Sequence, residues 1–400
     1  MTEPLSSAYL GLAAAALCTL VALSTAALLG PRLGLRLAPG RSAPIDGLRG
    51  YAAFFVFVSH AAAWFYYVRT DRWANVPLRA LGNLGSVSVV IFFMITAFLF
   101  TKKLLDSRQG RIDWLRMLVS RFMRLTPLYL FAMGALLLVL GAVSGFELRE
   151  SLAKLLASLG EWLVFTTTGA PDLNGMRDTW LIIAGVTWSL PYEIFFYLLL
   201  PLLAIPIGAP VPRLVIVLAS TGIALAVLLT RPEPVLATAF LGGALAAGLV
   251  RVPWLRALAG TSAASVGALA ALGGVTALFG PFRPVPLTIL SLAFLVVAAG
   301  NSLFGILTNR AARLLGEVSY SMYLLHAILL FALVRWGIGV QALAVMPAAA
   351  YWSIILCLTP LLVILCMITF TLIERPGIES APRITASVRG LLDRRKAMSG

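Results

Sequence analysis

Hydrophobic runs of 17 or more residues recur along the chain from residue 8 to residue 373. Each is long enough to cross a hydrocarbon core of ~30 Å at about 1.5 Å per helical residue. Only 12% of the 400 side chains are charged and 60% are hydrophobic, with a mean hydropathy of +0.96. A soluble domain carries roughly 25% charged residues, so a soluble enzyme is excluded. The pattern predicts an all-α chain, a polytopic integral membrane helical bundle. The polar stretch from Glu374 to Gly400 is too short to bury a core, and no second globular domain is expected.

Lys and Arg total 31 against 16 Asp and Glu, a net charge of +15. In a membrane protein that excess belongs in cytoplasmic loops beside anionic headgroups, so the expected partners are membrane lipids and no nucleic acid. The first apolar run, Tyr9–Leu29, has no basic residue before it and is longer than a signal-peptide core. It reads as a retained helix with its N-terminus outside. Arg32, Arg36, Arg41 and Arg49, then Lys102, Lys103, Arg108, Arg111, Arg116, Arg121 and Arg124, mark two cytoplasmic segments. Runs at 51–67 and 84–100 go out and back between them, and a run at 126–144 ends outside.

Seven more crossings are expected near 180–208, 212–230, 234–250, 260–279, 285–304, 318–337 and 347–373, divided by Pro/Gly turns such as the one at Arg231–Pro234. Arg251 with Arg256, Arg310 with Arg313, and the tail residues Arg389, Arg394, Arg395 and Lys396 all fall inside only if residues 152–168 do not cross. Lys154 and Glu161 make that segment a poor span, so an interfacial or partly inserted helix is expected there. The expected total is about 11 transmembrane helices. Cys18, Cys357 and Cys366 lie in apolar runs without metal-ligand spacing; they read as packing residues, and no metal site is expected.

In so apolar a chain the polar residues inside helices are informative, because an unpaired charge at the bilayer centre costs at least ~2.5 kcal/mol. The chain has two histidines, His60 and His326. His60 follows Arg49 by eleven residues, and eleven steps of about 100° return to nearly the same helix face, about 16 Å further along. A snorkelling arginine with a structural histidine, and a general base above an anion-holding arginine, both fit this stripe. Arg121 and Arg124, three residues apart at a helix start, can face one phosphorylated ligand or simply anchor the cytoplasmic end. Glu193 stands in the aromatic-rich stretch Trp188-Ser-Leu-Pro-Tyr-Glu193-Ile-Phe-Phe-Tyr197, where an ion pair and a substrate or proton role compete. Ser319, Tyr323 and His326 share one helical arc, as a polar face or as an interhelical seam.

In this order and wording the blocks resemble the acyltransferase 3 family of integral membrane acyltransferases, over about residues 44 to 376. Arg49 and His60 match its arginine, ten residues and histidine; Arg121 and Arg124 match its arginine pair before a Pro-containing helix. Trp188-Ser-Leu with Glu193 and Phe196-Tyr197 resembles its Trp-Ser-Leu-x-x-Glu-x-x-Phe-Tyr block. Leu315 to His326 resembles its late helix, and Glu374-Arg-Pro376 its closing motif. The chain departs where many members read Phe-Phe-x-x-Ser-Gly-Phe, having Thr96 and Ala97, and in Pro191 and Tyr192 inside the Trp-Ser-Leu block.

The resemblance implies a ten-helix core with one additional N-terminal helix. Residues 1–43 would form that helix and a basic loop, 44–376 the acyltransferase domain, and 377–400 a basic cytoplasmic tail. It further implies transfer of a short acyl group, often acetyl, from acyl-CoA to a hydroxyl on a carbohydrate, lipid-linked glycan or small natural product. No bound cofactor is expected; acyl-CoA would be a substrate. His60, Arg49 and Glu193 would be catalytic, Arg121 and Arg124 would bind the donor, and Trp188, Ser189, Tyr197, Tyr323 and His326 would bind the acceptor. The expected location is the cytoplasmic membrane of a bacterium. The competing class is a transporter or sugar-lipid flippase using His60, Glu193 and His326 as an intramembrane relay.

Overall fold

A computed structural model of the chain describes residues 2–37, 42–73, 76–107, 112–230 and 233–399. Arg41, Arg108, Arg111, Arg231 and Pro232, which belong to the expected basic clusters and turns, lie outside the described residues. The described residues are helical and contain no strand. Four long helices come first: α1 (Thr2–Leu29), α2 (Ala43–Thr70), α3 (Arg79–Asp106) and α4 (Trp114–Ser144). The short α5 (Leu152–Leu163) and two 3-10 turns, Thr179–Ile183 and Val186–Ser189, lead to α6 (Leu190–Ala204). Then follow α7 (Arg213–Thr230), α8 (Pro234–Leu249), α9 (Pro253–Ala259), α10 (Ser262–Leu278), α11 (Pro284–Ala298), α12 (Arg310–Glu317), α13 (Ser319–Ala332), α14 (Val340–Val345), α15 (Ala348–Thr369) and α16 (Arg375–Ser399). Wide π turns, Leu333–Ile338 and Phe370–Glu374, extend α13 and α15.

Among the described residues, seven helices are long and apolar enough to cross a membrane, or eight if α8 and α9, bent by 112°, count together as one span. The chain is a multi-pass membrane protein. Three shorter apolar helices, Arg213–Leu228, Ser262–Leu278 and Pro284–Ala298, fall below that length. The run expected as one crossing at 180–208 is interrupted: Ala184 and Gly185 take left-handed conformations, and regular α-helix begins only at Leu190.

Segment 152–168 contains the twelve-residue α5, which rises about 18 Å and cannot cross alone. It exposes Leu152, Leu156 and Leu163 on one side and buries Trp162, an amphipathic arrangement suited to an interface. Its position is fixed by polar contacts: Tyr129 Oη–H donates to the Trp162 carbonyl at 2.6 Å, and Trp162 Nε1–H donates to the Pro171 carbonyl at 2.9 Å.

Of the apolar 18-residue stretch of α2 and of α3, 72% is buried inside the protein, against 33% for α1 and for α4. The first pair therefore forms the middle of the bundle and the second its lipid-facing edge. Close approach at the middle depends on missing side chains. A Cβ on Gly47 of α2 would lie 1.8 Å from the Leu307 carbonyl oxygen, and one on Gly243 of α8 would lie 2.1 Å from the Met94 carbonyl oxygen in α3. Small residues at helix crossings let backbones meet where lipid offers no hydrophobic drive for association. The same logic attaches α1, whose buried Ala15, Cys18, Ala22 and Ala26 form its small-residue seam, with α15 as its main neighbour.

Candidate active site

The Arg49 end of α2 and the start of α4 border a cavity of about 340 Å³. Arg49, Arg121 and Arg124 project into it with Glu193 and Tyr197 of α6, Ser189 just before that helix, and Tyr323 of α13. Three guanidinium groups thus share a space whose remaining wall is mostly aromatic and aliphatic, including Phe92, Phe93 and Phe100. The Arg121 guanidinium lies 5.2 Å from the Phe100 ring centroid, and its Nε is buried without a hydrogen-bond partner. A buried donor left unsatisfied costs about 1–3 kcal/mol, which an anionic ligand would offset. Tyr197 Oη–H donates to Glu193 Oε1. Glu374, buried behind α13, accepts from Ser321 Oγ and lies within electrostatic reach of Arg124 and Arg49.

At the inner end of the cavity, Tyr323 Oη–H donates to the Val186 carbonyl at 2.8 Å, so its oxygen accepts from Ser189 Oγ–H, also at 2.8 Å. One helical turn beyond is His326, its ring centroid 6.5 Å from that of Tyr323. His326 is fully buried, and its Nδ1–H donates to the Met322 carbonyl at 2.8 Å. That bond assigns the ring's lone pair to Nε2, which accepts from His60 Nδ1–H at 2.8 Å. The two imidazoles are nearly parallel, 4° apart, with centroids separated by 5.1 Å. The consequence is chemical: His60 Nε2 keeps its lone pair, and the ring is held in one tautomer.

Seven of the ten residues expected at the site therefore line one cavity, and the two histidines meet each other just beyond it. Trp188 does not join them. It is 39% exposed and lines a neighbouring cavity with Thr167 and Tyr192, with its ring against Phe93 of the first cavity's wall. Glu193, Tyr197 and Ser189 share their space with the arginine pair rather than with His60. Sequence reasoning missed Tyr320 and Phe100, which also line the cavity, and the aromatic residues around His60. Thr96, at a position where this chain departs from the family pattern, faces the cavity too.

A polytopic helical protein with a cationic cavity and a histidine pair one helical turn past its lining is equipped for group transfer from an anionic donor. The acyltransferase domain model of the acyltransferase 3 family matches residues 43–371, and the chain belongs to that family. It is 30% identical over 332 residues to the acyltransferase MdmB of Streptomyces mycarofaciens, a match covering 73% of this chain and 79% of that protein. It is 27% identical over 326 residues to the exopolysaccharide production protein ExoZ of Rhizobium meliloti, covering 77% of this chain and 95% of the relative. No solved structure gives a significant match. Membership decides between the two functional classes: the chain is an acyltransferase rather than a transporter.

Proposed function

We propose that the protein transfers a short acyl group, acetyl in the first instance, from acyl-CoA to a hydroxyl of a carbohydrate, lipid-linked glycan or small natural product. The observation that carries this reading is a cavity lined by three arginines, with the histidine pair placed one helical turn of α13 past its Tyr323. Coenzyme A is a polyanion on a long flexible arm. Its phosphates suit Arg121, Arg124 and Arg49 through charge-assisted hydrogen bonds. Its arm suits the separation of about 16 Å between the Arg49 and His60 positions on α2. His60 Nε2 takes the proton of the acceptor hydroxyl as its oxygen attacks the thioester carbonyl; the C–O bond forms, the C–S bond breaks, and the proton passes to the departing thiolate. His326 accepts from His60 Nδ1–H throughout and keeps Nε2 aimed at the reaction.

Eleven crossings go with this reading: α1, α2, α3, α4, α6, α7, α8, α10, α11, α13 and α15, with α5 on the outer surface. The arginine cavity then opens toward the cytosol of a bacterial cell, where acyl-CoA is found, and His60 is approached from the outer half of the bundle. The test is release of coenzyme A from acetyl-CoA by purified protein in nanodiscs, with a cell-envelope glycolipid extract as acceptor. Wild type is expected to release coenzyme A in an acceptor-dependent way, and His60→Ala to lose at least about 100-fold in rate. Equal rates in the two proteins would remove His60 from the mechanism.

A further inference from the structure

His60 has two ring nitrogens, and the protein occupies one of them. With Nδ1 held 2.8 Å from His326 Nε2, an acceptor hydroxyl can meet only Nε2. An aromatic cluster drawn from separate segments stands beside the imidazole. Trp73, in the loop after α2, has its ring 5.9 Å from that of His60 and tilted by 34°. Tyr67, from the last turns of α2, and Trp180, from the 3-10 turn after α5, each meet Trp73 at 5.6 Å, near perpendicular. Trp64 closes the floor, 5.3 Å from Trp73 at 90°. His60, Tyr67, Trp73 and Trp180 are all partly exposed, so the cluster can be reached from outside the protein. A belt of interfacial aromatics would turn its rings to lipid headgroups; these rings pack on one another and on the imidazole.

The rim of the cluster is polar. Trp180 Nε1–H donates to Asp178 Oδ1 at 3.0 Å, and both Asp178 and Asp71 lie within electrostatic reach of Tyr67. Both aspartates hold left-handed conformations, with φ of 56° and 55°, a geometry that costs free energy and persists where the surroundings impose it. Arg72 and Arg177 stand next to them in sequence, so these four residues carry no formal net charge. Such a rim selects hydroxyl groups over ions, whereas the arginine cavity selects the anionic donor.

We propose that Trp73, Trp180 and Tyr67 form the seat of the acceptor, and that the acceptor is a saturated, hydroxyl-bearing ring of the sugar type. Its C–H face rests on the indoles, which offer large rigid contact area at low entropic cost. Its hydroxyls reach the Asp71 and Asp178 carboxylates, and one of them meets His60 Nε2. The seat deepens the transferase reading and rests on it for the chemistry, though binding of the ring does not require turnover. It also moves acceptor recognition away from Trp188, which lines a separate cavity and packs against Phe93.

The experiment has two arms, both on the full-length protein in nanodiscs. Saturation-transfer NMR with methyl β-D-glucopyranoside, methyl α-D-mannopyranoside and 1-propanol reads binding alone. Acetyl transfer to whichever glycoside binds reads turnover, with the KM of each substrate determined separately. Wild type is expected to bind at least one glycoside in preference to 1-propanol, and Trp73→Ala and Trp180→Ala to weaken that binding at least tenfold. In the turnover arm the same variants raise the acceptor KM and leave the acetyl-CoA KM within twofold, and Trp73→Phe restores most of the affinity. Glycoside binding without transfer would keep the seat and overturn the proposed reaction, acetyl transfer from acetyl-CoA to a sugar hydroxyl. Absence of glycoside binding in wild type, or binding in Trp73→Ala and Trp180→Ala equal to wild type, would overturn the seat.

Discussion

Replacing His326 with alanine deletes the atom that accepts from His60 Nδ1–H, freeing the imidazole to rotate and to exchange tautomers. General-base catalysis is worth about 10²–10⁴ in rate, and part of that is lost when the base is no longer aimed. The expected outcome is a kcat lower by roughly tenfold to hundredfold with the acyl-CoA KM unchanged. His326→Gln, whose amide oxygen can still accept from Nδ1–H, should recover a measurable share; failure of that rescue, with both KM values rising, would reduce His326 to a packing role. Arg121 gives the opposite signature. Charge-assisted hydrogen bonds contribute about 1.5–3 kcal/mol each, so Arg121→Ala should raise the donor KM by roughly 10- to 150-fold. Lysine there should fall short of full recovery, lacking the planar fork that grips phosphate. The stripe from Arg49 to His60 was legible in the sequence because helical periodicity alone puts residues eleven apart on one face. The histidine pair was not: its members are 266 residues apart, and only the packing of α13 against α2 unites them. Trp73 and Trp180 were hidden for a related reason, since they sit in a loop and a 3-10 turn where no periodic signal marks a face.

Elements of the bundle meet where side chains are absent, and the cavity inherits its shape from those meetings. Gly243 of α8 touches the backbone of α3 at Met94, between Phe93 and Ile95, which line the cavity. Gly243→Ala must push α3 and α8 apart, and overpacking of this kind costs about 1–3 kcal/mol. The melting temperature of the purified protein should fall, while Gly248→Ala, where a Cβ would meet nothing within 4 Å, should leave it unchanged. At the start of α4, Asp113 caps the helix by accepting from the Arg116 N–H at 3.0 Å and pairs with Arg389 of α16 at 2.8 Å. The Arg116 backbone bond, and then the Arg389 side chain, hold this carboxyl below its ordinary value of 3.8. Its contribution is therefore complete above that value and is lost as pH falls through the lower, folded-state value. Asp113→Ala should cost about 1 kcal/mol in cap energy at neutral pH, and hydrogen exchange in α16 should rise both in that variant and on acidification below about pH 4. The long helices were legible from hydropathy. The interruption before α6 was less so, because Ala184 supports helix by propensity and its left-handed conformation comes from the turn it closes with Leu181 and Trp180.

Across the whole molecule the number of crossings sets which chemistry faces which compartment. Helices α7, α10 and α11 have 18, 17 and 15 residues, about 22–27 Å of rise, slightly less than a typical hydrocarbon core. They nevertheless expose Leu214, Leu228, Val266 and Leu292 by 59% or more. Such surfaces in water would be strongly unfavourable, whereas a locally thinned bilayer absorbs the mismatch for fractions of a kcal/mol per Å. All three are therefore expected to cross, and α5, shorter still, to lie on the outer surface. In a background with Cys18, Cys357 and Cys366 replaced by alanine, single cysteines at Thr168 and Gly280 should react with a membrane-impermeant maleimide on intact cells. Cysteines at Ser262 and Ser387 should react only after permeabilisation. Four crossings, α6, α7, α8 and α10, separate Thr168 from Gly280, so loss of any single one would put those positions on opposite sides. Labelling of Ser387→Cys from outside together with protection of Thr168→Cys would invert the bundle as a whole. The arginine cavity would then open away from cytosolic acyl-CoA, and the donor assignment would fall with it.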